Sequence, residues 1–365
     1  MLTDEFDFDL PEELIAQEPS KLRGDDRLLI LNAKTGEYLD RKFSDLLDFI
    51  PQDALLVFNN SKVRKARCFA KKIETDAMVE FLFLQDFQGG RVWQVLTKRG
   101  KRQKAEDRYR FADSTECELL LPDDCLSEAE LQSLAQEKKQ QEADSSYEQS
   151  EKFLRFEQPL TDEWFERNGH IPLPPYIKRE DTPNDAQRYQ NVYAHEVGSV
   201  ACPTAGLHFT EALLAKMEAR NIARVNITLH VGLGTFLPVR VRNVEEHKMH
   251  FEKFFISDEV AEKIEKQKAD GKPVLAVGTT SLRALEGAAQ NGRIKRGWQS
   301  SNIFIYPPYR FKVIDQLLTN FHTPKSTLLM LVSALAGREH ILAAYRHAVQ
   351  ARYRFFSYGD AMLIL

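Results

Sequence analysis

Residues that can bind anions and move protons are concentrated in the second half of the chain. The first such segment is the run CPTAGLHF, in which Thr204 and Gly206 precede His208 and a predicted helix begins immediately afterwards. Small residues next to a helix N-terminus let backbone N–H groups approach a carboxylate. A histidine in the same run adds acid–base chemistry near neutral pH. This segment is therefore a candidate ligand-binding turn.

A second segment, TLHVGLGTF, is a predicted strand that runs from His230 into Gly232, Gly234 and Thr235. Glycines at the end of a strand indicate either a close backbone approach to a ligand or a sharp corner. The G-x-G pattern alone is weak evidence, since a dinucleotide-binding fingerprint needs a third glycine and a following helix.

The third segment is a strand, turn and helix over residues 274–286, with the sequence GTTS at the turn. Ligands of open α/β sheets bind beyond the carboxyl ends of the strands, and this turn is such an end. Its hydroxyl side chains belong to Thr279, Thr280 and Ser281. Thr280 or Ser281 can instead cap the helix. Arg283 is a candidate ligand contact or a partner of Glu286, three residues further on.

Two shorter segments complete the set. Asn320 and His322 lie in TNFHTPKST, and Tyr358 and Asp360 lie in FSYGDAM. A single histidine among apolar neighbours is most often an ordinary core residue. Three such histidines, each beside a turn in the same half of the chain, indicate that one or two of them line a site.

His247 and His250 form an H-x-x-H pair with acidic neighbours. Zinc-binding helices need histidines four residues apart and a third ligand, and neither is evident in this sequence. Surface histidines are the preferred interpretation, and no metal site is predicted. The signatures of P-loop, nucleophile-elbow and kinase enzymes are also absent from the sequence.

Positive charge is concentrated between Lys62 and Arg110, which hold 14 Lys plus Arg against 6 Asp plus Glu, whereas the flanking segments are acidic. Such a block can be a set of solvated strand edges. It can equally be a face that binds RNA phosphates, which the acidic remainder of the chain favours slightly. The candidate phosphate contacts are Lys62, Arg64, Lys65, Arg67, Lys98, Arg99, Lys101 and Arg102.

Periodicity and capping signals predict the elements that position these residues. The alternating ARVNITLH, residues 223–230, predicts a strand, and NIFIY, residues 302–306, predicts another. Ser257 is a predicted helix N-cap, and Gly271 marks the end of that helix.

The 365 residues favour two domains. Strands that alternate with helices predict an α/β domain with a mixed, largely parallel sheet, whereas short β runs after Lys62 predict a small all-β barrel. The predicted α/β catalytic domain is discontinuous, with residues 1–61 and 159–365. Residues 62–126 form the inserted barrel-like domain, and 127–158 are a polar linker or helix.

The four cysteines are scattered without C-x-x-C pairing, which is typical of a reducing compartment. The N-terminus is acidic, unlike a signal peptide. Lys325 and Arg338 flank the uncharged apolar stretch Ser326–Gly337. This stretch is far shorter than the roughly 20 residues that span a bilayer. We therefore expect a cytoplasmic protein without membrane contact.

Taken in order, these blocks resemble the S-adenosylmethionine:tRNA ribosyltransferase-isomerase family of queuosine biosynthesis. The resemblance covers nearly the full length. It includes FDLPEELIAQEP, LLVFNNSKV, GHIPLPPYI, GSVACPTAGLHFT, TLHVGLGTFLPV, AVGTTSLRALE, TNFHTPKSTLLMLVSALAG and YRFFSYGDAMLI. The chain departs from the family at Asp26, where serine is usual, and within Ser61–Arg67. A usual Gly-Gly pair is also missing near Glu74–Met78.

The resemblance implies transfer and isomerisation of the ribosyl part of S-adenosylmethionine, the cosubstrate. The implied acceptor is 7-aminomethyl-7-deazaguanine, the modified wobble guanine of a tRNA, and adenine and methionine leave. No metal and no obligate protein partner are implied. His208, His230 and His322 are candidate acids or bases, and Asp360 is a candidate holder of the methionine ammonium. Which histidine is the base stays open.

Two other classes of function compete with this one. A non-catalytic tRNA-binding module would account for the basic block but not for the Gly/Thr/His turns. A metal-dependent hydrolase would be built around His247 and His250.

Overall fold

The computed structural model describes residues 1–97, 103–132, 134, 151–232, 239 and 241–365. Its main feature is a nine-stranded sheet. In spatial order the strands are β18 (Gly297–Ser301), β14 (Glu252–Ile256), β13 (Ala223–Leu229), β3 (Leu55–Asn59), β15 (Val274–Val277), β19 (Gln316–Asn320), β20 (Ala361–Ile364), β1 (Arg27–Leu31) and β2 (Tyr38–Lys42). Strands β13, β3, β15 and β19 are mutually parallel, and the outer pairings are mixed. The predicted α/β sheet is confirmed.

Both faces of the central strands are buried, because side chains along a strand point alternately to opposite faces. In β3, Leu55 and Val57 join one core cluster, whereas Leu56 and Phe58 join the other. The first cluster is covered by α5 (Asp258–Ala269), α6 (Thr279–Ala288), α7 (Thr327–Ala336) and α8 (Arg338–Gln350); the second is covered by α4 (Glu211–Ala219).

The inserted domain is a closed antiparallel barrel, as predicted. Its strands, in order, are β5 (Arg67–Lys72), β6 (Met78–Phe87), β7 (Val92–Thr97), β10 (Glu151–Phe156), β9 (Glu116–Leu120) and β8 (Arg108–Phe111), and β8 closes the ring on β5. Strand β10 corrects part of the prediction that 127–158 is a polar linker or helix, because residues 151–156 are a strand of the barrel. Alternate side chains of β10 are apolar and fill the barrel, including those of Leu154 and Phe156.

Shorter elements connect the two parts. They are β4 (Ser61–Val63), α1 (Pro122–Cys125), α2 (Asp162–Asn168), β11 (Gly169–His170), α3 (Pro183–Arg188), β12 (Glu196–Ser199), and the hairpin of β16 (Ala289–Gln290) and β17 (Arg293–Ile294). Short 3₁₀ helices include Phe43–Asp48 and Thr204–His208. Within the described ranges no single helix is long and apolar enough to cross a membrane. Helices α7 and α8 meet that criterion only as a pair, which is bent by 116°.

Strand directions bring several chain segments to one edge of the sheet. The parallel strands end there, so Asn320 lies at the carboxyl end of β19. Strand β20 runs against β19, and β1 runs parallel to β20, so both begin at the same edge. Asp26 and Asp360, the residues immediately before these strands, therefore lie beside Asn320.

The barrel is joined to the sheet through Arg64, which follows β4. Its guanidinium lies 5.2 Å from the ring centroid of Trp93 and 5.3 Å from that of Phe165, and it pairs with Asp162 at 2.9 Å. Gly169 completes the junction by pairing with Cys68 of β5. A Cβ at Gly169 would overlap the carbonyl oxygen of Lys65 and lie 2.7 Å from that of Phe165.

Replacement of Gly169 by alanine is therefore expected to lower the free energy of unfolding by at least about 2 kcal/mol, since backbone atoms cannot move aside cheaply. Gly232→Ala is the control, because a Cβ there meets no atom of the described residues within 4 Å. Urea unfolding measures both variants, and equal stabilities would contradict this account of the junction.

Candidate active site at the carboxyl edge of the sheet

His208 is the central side chain at this edge and is almost completely buried. Its Nδ1 lies 2.7 Å from Oδ2 of Asp26, and its Nε2 lies 3.2 Å from the amide nitrogen of Asn320. An ionised carboxylate only accepts hydrogen bonds, so Nδ1 carries the proton. In the neutral ring, Nε2 then accepts from Asn320. The pair therefore holds one imidazole tautomer, with the Nε2 lone pair directed away from Asp26.

Asp26 stays ionised although it is buried. Burial alone would raise its pKa, but His208 and Arg354 hold the pKa below its usual value. The Arg354 guanidinium donates to Oδ1 of Asp26 at 2.9 Å. A buried carboxylate with two such partners can stabilise a positive charge that develops on His208.

Asp360 is held by the main chain. Its two oxygens accept the backbone N–H groups of Arg27 and Arg354 at 2.9 and 2.7 Å. Burial raises the pKa of this carboxyl, partly offset by those hydrogen bonds. This arrangement favours a role in joining β1 to the segment before β20 over the predicted role in holding an ammonium group.

His322 is also buried and lies two residues after Asn320. Its Nε2 lies 3.0 Å from the hydroxyl of Thr319, and its backbone N–H donates to the hydroxyl of Tyr345. Burial lowers the pKa of His322 to about 3. The ring is thus neutral at physiological pH, which is typical of a core histidine.

The GTTS turn begins α6, and neither predicted hydroxyl caps the helix. Gly278 occupies the N-cap, and Ser281 Oγ donates back to the carbonyl of Val277 at 2.9 Å. Thr280 Oγ1 is buried and has no hydrogen-bond partner in the described part of the chain. Thr279 is also buried. The unpartnered hydroxyl and the first N–H groups of the helix together form a candidate carboxylate site.

The loop that carries Thr204 and Gly206 packs against this turn, since a Cβ at Gly278 would lie 3.6 Å from that of Ala205. Thr204 is half-buried, whereas Gly206 is buried. A side chain at Gly206 would overlap Tyr193 and Asn191. Packing thus accounts for this glycine, and Thr204 remains a candidate contact.

Other predicted residues are engaged with partners elsewhere in the protein. Arg283 pairs with Glu252 of β14 at 2.9 Å, not with Glu286. Tyr358 donates to Oδ1 of Asp185 at 2.7 Å. Glu286 instead accepts backbone N–H groups of residues 312–314.

His230 and Gly232 lie beyond the end of β13, three strands from β19. The Nδ1 atom of His230 has no hydrogen-bond partner among the residues that the structure describes. Burial, with help from Arg64, lowers the pKa of the ring. The predicted Gly234 and Thr235 lie outside the described residues.

Three of the predicted phosphate contacts are engaged within the protein. Arg64 pairs with Asp162, and Lys65 pairs with Glu166 at 2.9 Å. Arg67 pairs with Glu80 at 3.0 Å and with Glu180 at 2.9 Å. Lys62 has no ion-pair partner in the described part of the chain. The predicted contacts at Lys98, Arg99, Lys101 and Arg102 lie outside it.

The alternative sites are less well assembled. His247 packs against Phe304, and the described residues contain no group of three or more potential His, Cys, Asp or Glu metal ligands. A groove of about 690 Å³ on the barrel contains Arg108 and Arg155. These arginines pair with Glu116 and Glu118, so the groove has little free charge.

Sequence reasoning missed Asp26 and Arg354 as site residues. In the sequence, Asp26 stands out only as a departure from the family pattern. The available signal was an acidic residue directly before a buried strand, but only the pairing of β1 with β20 brings it to His208.

These features define a two-part α/β protein with a buried histidine–carboxylate site at the sheet edge and an inserted barrel. A family model described as "Queuosine biosynthesis protein" matches residues 3–364, and the chain belongs to that family. A Treponema denticola protein and a Halothermothrix orenii protein, both named S-adenosylmethionine:tRNA ribosyltransferase-isomerase, are 52% and 46% identical and match over 100% of each chain. A solved structure of S-adenosylmethionine tRNA ribosyltransferase from Thermotoga maritima is 32% identical with a TM-score of 0.53, covering 99% of this chain and 100% of that one. The resemblance predicted from the sequence is confirmed.

The neutral state of His322 predicts a pH dependence of stability. An unfolded histidine titrates near 6.5, so below that pH the unfolded chain binds a proton that the folded chain excludes. The free energy of unfolding should therefore fall by up to about 1.4 kcal/mol per pH unit as pH drops from about 6.5 toward 4. His322→Gln should remove that contribution, whereas His347→Gln, at a half-buried histidine paired with Asp40, should retain it. Urea titrations at several pH values give the free energy of unfolding as a function of pH. The same pH dependence for wild type and His322→Gln would contradict the assignment.

Proposed function

We propose that this protein transfers and isomerises the ribosyl moiety of S-adenosylmethionine onto 7-aminomethyl-7-deazaguanine at the tRNA wobble position. The product is epoxyqueuosine in tRNA, and adenine and methionine are released. The full-length identity of 52% to a relative of that name carries this proposal. Because tRNA is the acceptor, the proposed location is the cytoplasm.

The reaction needs a group that takes a proton from the carbon next to the sulfonium. His208 suits this role better than His230 or His322. Its Nδ1 proton is bound by Asp26, and its Nε2 meets only the 3.2 Å contact with Asn320, which substrate must replace. Asp26 stabilises the imidazolium that results. The positively charged sulfonium makes both the proton acidic and methionine a good leaving group, so the proposed route requires no metal.

The methionine carboxylate needs fixed positive partial charge. The N-terminus of α6 supplies it through the N–H groups of Thr279–Ser281, and Thr280 Oγ1 is buried, unpartnered and available as a donor. Both groups lie on the turn that follows β15, next to the end of β19. The carboxylate would then be bound one strand away from the proton that His208 removes.

Protein, S-adenosylmethionine and a tRNA bearing the deazaguanine precursor should together release adenine and methionine without added metal. Chromatography of the products measures both. A control with tRNA that lacks the aminomethyl group should release neither, since the acceptor amine is missing. Adenine release that requires zinc, or none with the modified tRNA, would contradict the proposal.

The histidine–carboxylate pair predicts that His208→Ala lowers turnover by roughly 10²–10⁴-fold, as for a lost general base. Asp26→Asn should also lower turnover, but by less, because the imidazole stays in place while the carboxylate that stabilises the imidazolium is lost. His347→Ala is the matched control, since the His347 ring lies 2.9 Å from Asp40 of the edge strand β2 and not against Asp26 or Asn320. If His208→Ala, with folding confirmed by circular dichroism, turned over at the wild-type rate, His208 would not be the base.

A further inference from the structure

Trp298 is an isolated exposed aromatic residue on an edge strand. It lies in β18, opposite Phe255 of β14, and its side chain is 62% exposed. The other residues of β18 are Gly297, Gln299, Ser300 and Ser301, so the neighbours of Trp298 along its own strand are small and polar. A protein interface needs a contiguous apolar area of several hundred Å², which one ring does not provide. Stacking of one planar ligand needs no more than one ring.

One face of the Trp298 ring is covered by a second ring. The imidazole of His230 is stacked on Trp298, with centroids 5.7 Å apart and planes at 19°. Phe255 packs beside it at 5.5 Å. The His230 ring is in turn close to Gly198, where a Cβ would lie 2.8 Å from its Cε1. Trp298 is therefore a braced platform, since its neighbours limit its rotamers.

A hydrogen-bonding group of His230 adjoins the platform, and the strand pair next to His230 carries a basic residue. His230 Nδ1 has no partner within the described residues. Gly198 belongs to β12, which pairs with β4 so that Lys62 lies opposite Val197. Lys62 is the basic residue of that strand that is left without an ion-pair partner in the described part of the chain. A cation beside a stacking surface suits a ligand that combines a planar ring with a phosphate.

The platform is also on the same sheet as the candidate active site. Five strand spacings separate β18 from β19, on the order of 24 Å. His230 lies between them, beyond the carboxyl end of β13. A single-stranded RNA that presents one base to His208 would have neighbouring nucleotides within reach of Trp298.

We propose that Trp298, braced by His230, stacks an unpaired base of the anticodon loop, with Lys62 neutralising an adjacent phosphate. This inference rests on the proposed function, because it takes tRNA as the substrate. Stacking on an aromatic side chain contributes about 1–3 kcal/mol per base by alanine substitution, so Trp298→Ala should weaken RNA binding by roughly 5- to 150-fold.

The test uses the full-length protein and an unmodified anticodon stem–loop RNA. The chain has three tryptophans, and Trp93 and Trp164 are buried, so iodide quenching of tryptophan fluorescence reports chiefly on Trp298. The RNA should protect that fluorescence from iodide. Trp298→Ala should lose the protected signal and most of the affinity, whereas Trp298→Phe should keep much of the affinity. Tyr38→Ala is the matched control, since Tyr38 is also exposed on an edge strand and its ring also packs against a histidine, His347, with centroids 4.5 Å apart.

Unchanged iodide quenching in the RNA complex, or wild-type affinity of Trp298→Ala, would overturn the proposal. Protection that increases with protein concentration in the absence of RNA would assign the ring to a second copy of the chain and would also overturn it. Adenine release from precursor tRNA, measured on the same wild-type sample, separates the two proposals. Release without protection refutes only the platform, whereas protection without release supports the platform and contradicts the proposed reaction.

Discussion

The pairing of β20 with β1 and β19 is the constraint on which the candidate site depends. Strand β20 is the last strand of the chain and is buried along its whole length. It runs parallel to β1 from the N-terminal region and antiparallel to β19. This insertion brings Asp26, Asn320 and Asp360 to one edge, although more than 300 residues separate the first from the last. Without β20, the carboxylate that orients His208 would have no fixed position.

Charges inside the protein are compensated in a consistent way. Asp26 has His208 and Arg354 as partners, and Arg283 has Glu252. Removal of one member of such a pair leaves a buried charge, which costs several kcal/mol. These pairs therefore fix orientation as well as charge. At the sheet edge the exceptions are neutral: Thr280 Oγ1, Asn320 Oδ1 and His230 Nδ1 are polar atoms without partners among the described residues. Atoms of this kind are ready to bind a polar ligand.

Much of the architecture was predictable from local patterns. Alternation predicted β13, the Ser257 cap predicted α5, and short β runs predicted the barrel. The strand predicted for NIFIY was wrong, because Ile303 and Ile305 pack on the core while β14 pairs with 297–301. Strand β10 was missed because it follows a long polar segment. The contacts of Asp26, Arg354 and Trp298 depend on non-local strand pairing, which no spacing along the chain encodes.

A crystal structure with S-adenosylmethionine bound tests the central claim most directly, because it shows where the cosubstrate lies. The account predicts the methionine carboxylate against the N–H groups of Thr279–Ser281 and the Thr280 hydroxyl. It places the carbon next to the sulfonium within reach of Nε2 of His208. Binding in the barrel groove beside Arg108 and Arg155, or anywhere away from the carboxyl edge of the sheet, would contradict it.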